Sequence, residues 1–363
     1  MSTRRLRAPP PPLRRHVVAQ VNFGMREKII REEFSDIVGQ EETKEQLKTA
    51  LITGRHLIIV GPPGVGKTTL AKNLARILPD LELSTCPYHC DPKKPVCPEC
   101  TLKKQRNQKI KTRIVKGAER FVRIQGSPDL TAEDLIGDID PLKAMKYGPT
   151  SIEAFTPGKI FKANYGILFF DEINRCPEKI QNALLQVLEE GKATISGYDV
   201  EIETNFIFIG TMNPEDKSTE PLSDVFVDRF DFIRMAYPKS VDEEIKIVRL
   251  KGQKLVDFPE KLLRLVLNFI RHLRNDEKLE KKPSVRASIG IYERAQAHAL
   301  IKHKKRVGID DVKSVLLSVL AHRIRLKPGY KFTIKKENFI IEKFKEFEEK
   351  YLSEQSQGKG EYL

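Results

Sequence analysis

Three sets of side chains in this sequence have types and spacings suited to chemistry. The first is Gly61-Pro62-Pro63-Gly64-Val65-Gly66-Lys67-Thr68. Glycines at these positions let successive backbone N–H groups turn inward around an anion. Lys67 is then placed to reach the β- and γ-phosphates of a nucleotide, and the Thr68 hydroxyl to ligate Mg²⁺. Thr69, next in the chain, completes this phosphate-binding stretch. The second set is Asp171-Glu172. Asp171 would hold Mg²⁺ through water, and Glu172 would polarise a water attacking a phosphoanhydride. The third is Cys86, Cys90, Cys97 and Cys100, a C-x₃-C-x₆-C-x₂-C set that uses four of the five cysteines within 15 residues. Such pairs suit a tetrahedral structural Zn²⁺ or an iron–sulfur cluster, with disulfides or free thiols as the alternatives. His89 could substitute as a ligand, and Lys93, Lys94, Lys103 and Lys104 would offset thiolate charge.

The surrounding elements must position these groups. Leu57-Ile58-Ile59-Val60 precedes the glycine loop and a helical segment from Thr69 to Ala75 follows it, the strand–loop–helix order that a phosphate cradle needs. Ile167-Leu168-Phe169-Phe170 reads as a strand buried on both faces, with the acidic pair at its C-terminal end, where ligands bind in open α/β sheets. Phe121-Val122-Arg123-Ile124 and Phe206-Ile207-Phe208-Ile209 read as further core strands. The latter runs into Gly210-Thr211-Met212-Asn213-Pro214, which puts the amide of Asn213 where it can hold a water or the γ-phosphate. Glu41 to Thr53 is helical by pattern, with Leu47, Ala50 and Leu51 on one side. A second helix begins at Pro177, carries Ile180, Leu184, Val187 and Leu188, and ends at Gly191. Alternation from Lys192 to Thr204 suggests a hairpin turning near Gly197. Arg229, in Asp228-Arg229-Phe230-Asp231, has little intramolecular work if its loop faces outward. In a ring it can reach a neighbour's nucleotide, and otherwise it forms a surface salt bridge with Asp228 or Asp231.

From Val241 onward the pattern is helical, at about 241–254, 259–274, 285–302, 309–324 and 336–352, and no strand–helix alternation remains. Pro283-Ser284-Val285-Arg286 opens the central helix of this second domain. Arg286 can fold over a nucleotide there, or be an ordinary solvated arginine.

A length of 363 residues suggests about two domains. A hydrophobic share of 40% beside 31% charged residues excludes a disordered chain. No run approaches the ~18 consecutive apolar residues of a membrane span, and the basic, proline-rich start lacks the apolar core of a secretory signal, so the cytoplasm is expected with no membrane partner. The net charge of +14 is concentrated late: Lys251 to Tyr330 holds 19 Lys/Arg against 8 Asp/Glu. Nucleic acid would suit that excess, as would a solvated Lys/Arg-rich helical surface. There is no Trp, and the basic segments lack the interleaved aromatics of a base-stacking platform. The expected organisation is a flexible basic arm over residues 1–31, with Pro9 to Pro12 in polyproline II, and an α/β core over 32–238. The core would hold a cysteine insert at 84–117, an insert with little regular structure at about 134–162, and the hairpin at about 192–204. An all-helical lid at 239–328 and a C-terminal helix and tail at 329–363 would follow.

Taken together these motifs resemble the AAA+ ATPases of the MoxR and magnesium-chelatase I-subunit group, from about Glu33 to about Lys327. Ala163 to Arg175 is similar to that group's Walker B block, Gly210 to Glu215 to its sensor-1 block, and Asp228-Arg229-Phe230 to its arginine-finger block. The resemblance implies a P-loop core with a parallel five-stranded sheet, followed by a helical lid. It implies ATP and Mg²⁺ as cofactors, with Ile37 and Val38 of an Ile-Val-Gly-Gln segment packed against adenine. It implies a homo-oligomeric ring, a hexamer, in which Arg229 acts in trans, Arg286 is the sensor-2 residue, and the insert and hairpin face the pore or a partner. The expected activity is an ATP-hydrolysing motor or chaperone that remodels a protein or metal-cofactor client. The alternative is a nucleic-acid-stimulated motor, since the replicative MCM helicases share the inserted architecture. Two departures bear on this. The four-cysteine insert is absent from the minimal family pattern. No von Willebrand A-type domain follows the lid, so an adhesion-type partner would be a separate chain, and magnesium insertion into a porphyrin is not part of the expectation.

Overall fold

The computed structural model describes residues 23–149, 151–195, 200–214, 216 and 222–356. Two compact units emerge. The first contains the chain up to Phe34, Glu41–Gly61 and Lys67–Met235; the second contains Ser35–Gln40, Pro62–Gly66 and the chain from Ala236 on. Among the described residues no helix is long and apolar enough to cross a membrane.

The first unit begins with α1 (Phe23–Arg31) and α2 (Glu41–Ile52). The expected arm therefore gives way to a helix at Phe23, because Met25 and Ile29, one turn apart, are buried; Met1 to Asn22 lie outside the described residues. β1 (Leu57–Val60) leads through the glycine loop to α3 (Lys67–Ile77). β2 (Leu81–Ser84) and β3 (Thr112–Val115) pair antiparallel, Ser84 opposite Thr112, and between them lie the cysteines and α4 (Pro98–Gln105). β4 (Phe121–Gln125) returns to the main sheet.

The following insert is more ordered than expected. α5 (Ala132–Ile136), β5 (Gly137–Ile139), α6 (Pro141–Tyr147), β6 (Phe155–Pro157) and α7 (Lys159–Lys162) succeed one another, with β5 paired antiparallel to β6. The cause is local. Thr131 and Asp140 cap the helices with side-chain hydrogen bonds, and Leu135, Phe155, Ile160 and Phe161 are buried. β7 (Ile167–Asp171) and α8 (Glu178–Glu190) follow, the helix closing on Gly191 in the left-handed conformation, φ 65°. β8 (Lys192–Ile195) and β9 (Val200–Glu203) form the hairpin, whose turn near Gly197 lies outside the described residues. β10 (Ile207–Met212), α9 (Asp224–Val227) and β11 (Asp231–Arg234) complete the unit.

The main sheet is parallel, in the order β11-β1-β10-β7-β4. Ile167, Leu168, Phe169 and Phe170 are wholly buried, as a parallel strand covered on both faces requires. Phe170, Phe208, Phe230 and Phe226 form a chain of ring contacts with centroids 4.7 to 6.1 Å apart. Gly166 admits no side chain at the entry to β7, since a Cβ there would stand 2.0 Å from the Arg120 carbonyl oxygen.

The second unit contains α10 (Val241–Lys251), α11 (Glu260–Asn275), α12 (Val285–Ile301), α13 (Ile309–Leu320), α14 (Pro328–Lys331) and α15 (Lys336–Ser356). It is not wholly helical: β12 (Leu279–Lys281) and β13 (Arg325–Leu326) pair antiparallel, segments too short to show a period of two. Its apolar core includes a buried ion pair. Arg274 meets Glu244 through two bonds, Nη1 to Oε2 at 2.7 Å and Nη2 to Oε1 at 2.6 Å, and Ser288 donates to the same carboxylate. Arg274 Nε also donates to the Pro283 carbonyl oxygen at 2.9 Å, which fixes the entry to α12.

Glu244 is fully buried, so removing Arg274 leaves its carboxylate with only Ser288 and the more distant Arg271, at 3.8 Å, and no water to hydrate it. Arg274→Ala is expected to destabilise the second unit by about 3–5 kcal/mol, read as a lower urea midpoint. A change below ~1 kcal/mol would show that water or a rearranged side chain replaces the pair.

Candidate functional site

Strand register brings three candidate segments to one edge of the sheet. Val60 lies opposite Met212, Phe170 opposite Gly210, and Asp171 opposite Gln125. The glycine loop therefore leaves β1 beside the Thr211–Asn213 end of β10, and Asp171–Glu172 leaves β7 on its other side. Gly61 is held there by donation of its N–H to the Met212 carbonyl oxygen at 3.1 Å. A Cβ at Gly61 would stand 2.3 Å from the Met235 carbonyl oxygen, so the backbone approach demands glycine. Lys67 opens α3, and its Nζ donates to the Gly61 carbonyl oxygen at 2.6 Å, folding the ammonium back over the loop. Thr68 and Thr69 follow in the first turn of α3, half-buried.

The carboxylates are fixed by partners that the motifs do not announce. Thr211 Oγ1 donates to Asp171 Oδ1 at 2.6 Å and accepts the Glu172 N–H at 3.0 Å. Arg123 Nη2 donates to Asp171 Oδ2 at 2.6 Å. The Glu172 carboxylate accepts from Gln125 Nε2 at 3.0 Å and pairs with Arg175 at 3.1 Å; Arg175 is also bound to Asp216, which holds its pKa above the usual arginine value. Glu172 itself sits at φ 57°, ψ 52°, a left-handed conformation rare outside glycine and asparagine. Gly126 makes this turn feasible: its N–H donates to the Asp171 carbonyl oxygen at 2.7 Å, and a Cβ there would stand 2.1 Å from the Glu172 carbonyl oxygen. Asn213 follows β10 and is half-buried, its carbonyl oxygen accepting from Asn174 Nδ2 at 3.4 Å.

Thr211 was the one partner with a readable signal, a hydroxyl inside a strand that is otherwise apolar and buried. Arg123 and Gln125 carried none, because their approach depends on strand order, whereas Arg175 reaches Glu172 within the turn, three residues along. Arg229 has more intramolecular work than an outward loop would give: it pairs with Glu189 on α8 and with Asp228. Asp231 pairs instead with Arg55, at 3.0 Å.

Within the second unit, Ile37 is buried and Val38 half-buried. Their segment is held by Gln40, whose Nε2 donates to the Ala236 carbonyl oxygen at 2.7 Å. Pro62, Pro63, Gly64, Val65 and Gly66 belong to the same unit. Gly64 has φ +79°, and a Cβ there would stand 3.2 Å from both Arg286 Cγ and Ser284 Oγ. The glycine loop and the start of α12 are thus in close approach, which brings Arg286 to the loop.

The four cysteines converge as their spacing suggests. One sulfur from each of Cys86, Cys90, Cys97 and Cys100 lies within 4.8 Å of all the others, and all four are buried free thiols. Two turns aim backbone N–H groups at sulfur: Cys90 N to Cys86 Sγ at 3.5 Å and Cys100 N to Cys97 Sγ at 3.4 Å. Ser84 Oγ lies 3.2 Å from Cys100 Sγ. Hydrogen bonds from Cys90 and Cys97 lower the pKa of Cys86, whereas the bond to Cys86 pushes Cys90 up to about 12. The set accepts one negative charge readily and resists more, the condition that a bound cation relieves. His89 takes another role, with Nδ1 3.0 Å from the Lys162 carbonyl oxygen. The fifth cysteine, Cys176, is pushed up to about 12 by burial.

Asn164 connects this knuckle to the sheet. It is buried, its Nδ2 donates to the Tyr88 carbonyl oxygen at 3.1 Å, and its Oδ1 accepts the Asn205 N–H at 2.9 Å. Tyr88 packs on Phe161, centroids 5.2 Å apart, and Lys94 pairs with Glu203 of β9 at 3.0 Å.

Three family profiles match the chain in succession: magnesium chelatase, subunit ChlI, at residues 33–87; the ATPase family associated with various cellular activities at 101–232; and an AAA lid domain at 271–343. A magnesium-chelatase subunit ChlI homolog from Methanocaldococcus jannaschii is 31% identical over 347 residues, covering 86% of this chain and 91% of the relative. The chaperone MoxR1 of Mycobacterium tuberculosis is 29% identical over 322 residues, covering 80% of this chain and 73% of the relative. Among solved structures, the complex between subunits BchI and BchD of magnesium chelatase contains a similar chain at 24% identity and TM-score 0.46, covering 83% of this chain and 98% of that one.

The Thr211 hydroxyl is the sole side-chain link between β10 and the acidic pair among the bonds described above. Thr211→Val keeps the shape and removes the hydroxyl, so nucleotide affinity is expected to hold within about two-fold while kcat falls about 10- to 100-fold. Steady-state phosphate release against equilibrium nucleotide binding separates the two. Unchanged kcat would show that the strand pairing alone fixes Asp171.

Proposed function

This chain belongs to the AAA+ ATPases of the MoxR and magnesium-chelatase I-subunit group, and from that premise we propose that it is a ring-forming motor that spends ATP hydrolysis on remodelling a protein or metal-cofactor client. The observation that carries the reading is the acidic pair at the end of β7, tied through Thr211 to β10, with the end of β1 and Gly61, from which the glycine loop departs, on the other side of β10. In this reading Gly61 to Thr69 cradle the phosphates of ATP. Lys67 leaves the Gly61 carbonyl for the β- and γ-phosphates, and Thr68 and Asp171 hold Mg²⁺, Asp171 through water. Glu172 orients the attacking water once Gln125 and Arg175 release it, and Asn213 positions that water or the γ-phosphate. Ile37 and Val38 pack on adenine, and Arg286 serves as the lid's phosphate sensor.

Arg229 acts on the nucleotide of a neighbouring copy. Its bonds to Glu189 and Asp228 do not oppose this, because ion pairs at the surface are worth roughly 0–1 kcal/mol and exchange readily for phosphate. The ring is a hexamer by the same resemblance. The client surface is supported by α6, where Leu142 is 78% and Met145 86% exposed at the tip of the insert. A separate von Willebrand A-type chain is the partner expected of such a motor. Relatives that cover four-fifths of the chain or more include proteins named as chelatase subunits and a chaperone, so the nucleic-acid motor is not favoured.

The four cysteines hold a structural Zn²⁺ in this reading. Their donor set, their convergence within 4.8 Å and their burial fit a closed tetrahedral site, and an iron–sulfur cluster is the second candidate. The cytoplasm is the compartment of this reading, since closely spaced thiols kept as metal ligands suit a reducing environment.

Glu172→Gln is expected to bind ATP and release phosphate at least ~100-fold more slowly. Mixing inactive Lys67→Ala and Arg229→Ala chains should restore some activity, since in one of the two mixed orientations the intact loop of the Arg229→Ala chain meets the intact finger of the Lys67→Ala chain; no recovery would sink the trans role. Elemental analysis of the purified chain should find one zinc per chain, lost in Cys97→Ser/Cys100→Ser. Iron with acid-labile sulfide would replace zinc by a cluster.

A further inference from the structure

α12 carries Arg286, Gly290 and Arg294 at successive i, i+4 positions, which places them on one stripe of the helix. Gly290 leaves the middle of that stripe without a side chain, and a third arginine fills the gap. A Cβ on Gly290 would stand 3.2 Å from Val319 Cγ1 and 4.0 Å from Arg323 Nη2. Arg323, just beyond α13, is anchored by donation from Nη1 to the Val319 carbonyl oxygen at 2.5 Å. Arg294 donates to Ser318 Oγ at 2.8 Å. Among the described residues no carboxylate pairs with any of the three. Three guanidiniums in a row repel one another, and Arg323 feels this: partial burial first, then the charges of Arg286 and Arg294, hold its pKa below the usual arginine value. An anion seated beside the stripe would relieve that repulsion.

The stripe also points to where that anion comes from. Its first arginine, Arg286, packs against Gly64 of the glycine loop, whose function is to hold phosphate. We propose that Arg323 joins Arg286 as a second guanidinium on the phosphate chain of the bound nucleotide, so that the lid distinguishes a triphosphate from a diphosphate with two cations rather than one. The inference rests on the glycine loop being the ATP site. A planar guanidinium can present two parallel N–H donors to phosphate oxygens, which a lysine in its place cannot reproduce. Gly290 is then the residue that lets the second cation in.

The test uses the full chain carrying Glu172→Gln, with ATP and ADP titrated in the presence of Mg²⁺. Arg323→Ala is expected to weaken ATP about ten-fold and ADP less than about two-fold, as loss of a charge-assisted bond to the terminal phosphate requires. Arg323→Lys should recover part of the difference. The pair Arg286→Ala/Arg323→Ala should lose less than the product of the single losses, because both act on one phosphate chain. Equal weakening of ATP and ADP, or none, overturns the proposal; so does an altered oligomer size with an unchanged ATP-to-ADP ratio, which would assign Arg323 to subunit contact. Arg323→Gln reads the same ratio if the alanine variant melts early. Failure of the parent chain to bind either nucleotide would instead sink the ATP site itself.

Discussion

The hydrogen bond from Thr211 to Asp171 is the constraint on which the rest of the site depends. A carboxylate at the end of a buried strand has many rotamers and, without a fixed partner, no reason to hold one. Thr211 is placed opposite it by the parallel pairing of β10 with β7, and the same hydroxyl accepts the Glu172 N–H. One side chain therefore couples two acids to one neighbouring strand. That coupling requires β7 and β10 to enter the sheet in strict register. Gly166 permits the close approach at the entry to β7, and Asn164 and Asn205 hold the two strand entries together.

The turn after β7 illustrates how the backbone serves the chemistry. Glu172 occupies a left-handed conformation that costs a non-glycine residue on the order of 1 kcal/mol or more. Two close backbone partners, Gly126 and Asp171, accommodate it, so the strain is carried by a packed sheet edge rather than a loose loop. In this state the Glu172 carboxylate is occupied by Gln125 and Arg175. The orientation of the glutamate is thus set from β4 on one side and from its own turn on the other.

Much of this was legible in the chain. The apolar runs at Leu57, Ile167 and Phe206 announced strands buried on both faces, and the glycine loop and acidic pair sat at their ends as the chemistry demands. Four cysteines spaced for a knuckle did converge. What escaped reading depended on contacts distant in sequence or on very short elements. Met25 and Ile29 are a single apolar pair in a basic segment, too few for a periodic signal, yet enough to seat α1. β5, β6, β12 and β13 have two or three residues each, below the length at which alternation shows. Arg123 and Gln125 reach the acidic pair only because β4 is the strand that lies beside β7, and sheet order is written in no local pattern.

The ladder at the base of the cysteine knuckle has a further consequence. Ser84 and Thr112 face each other across β2 and β3, so the chain departs from and returns to the core at one doorway. The intervening 27 residues, 85–111, add a metal-sized chamber without asking the sheet to change its path. An insertion of that kind behaves as a cassette. Its loss would leave two strand ends already adjacent, ready to be joined by a tight turn, so the four converging thiols are carried at one corner of the fold without a change to the strands that bear the site.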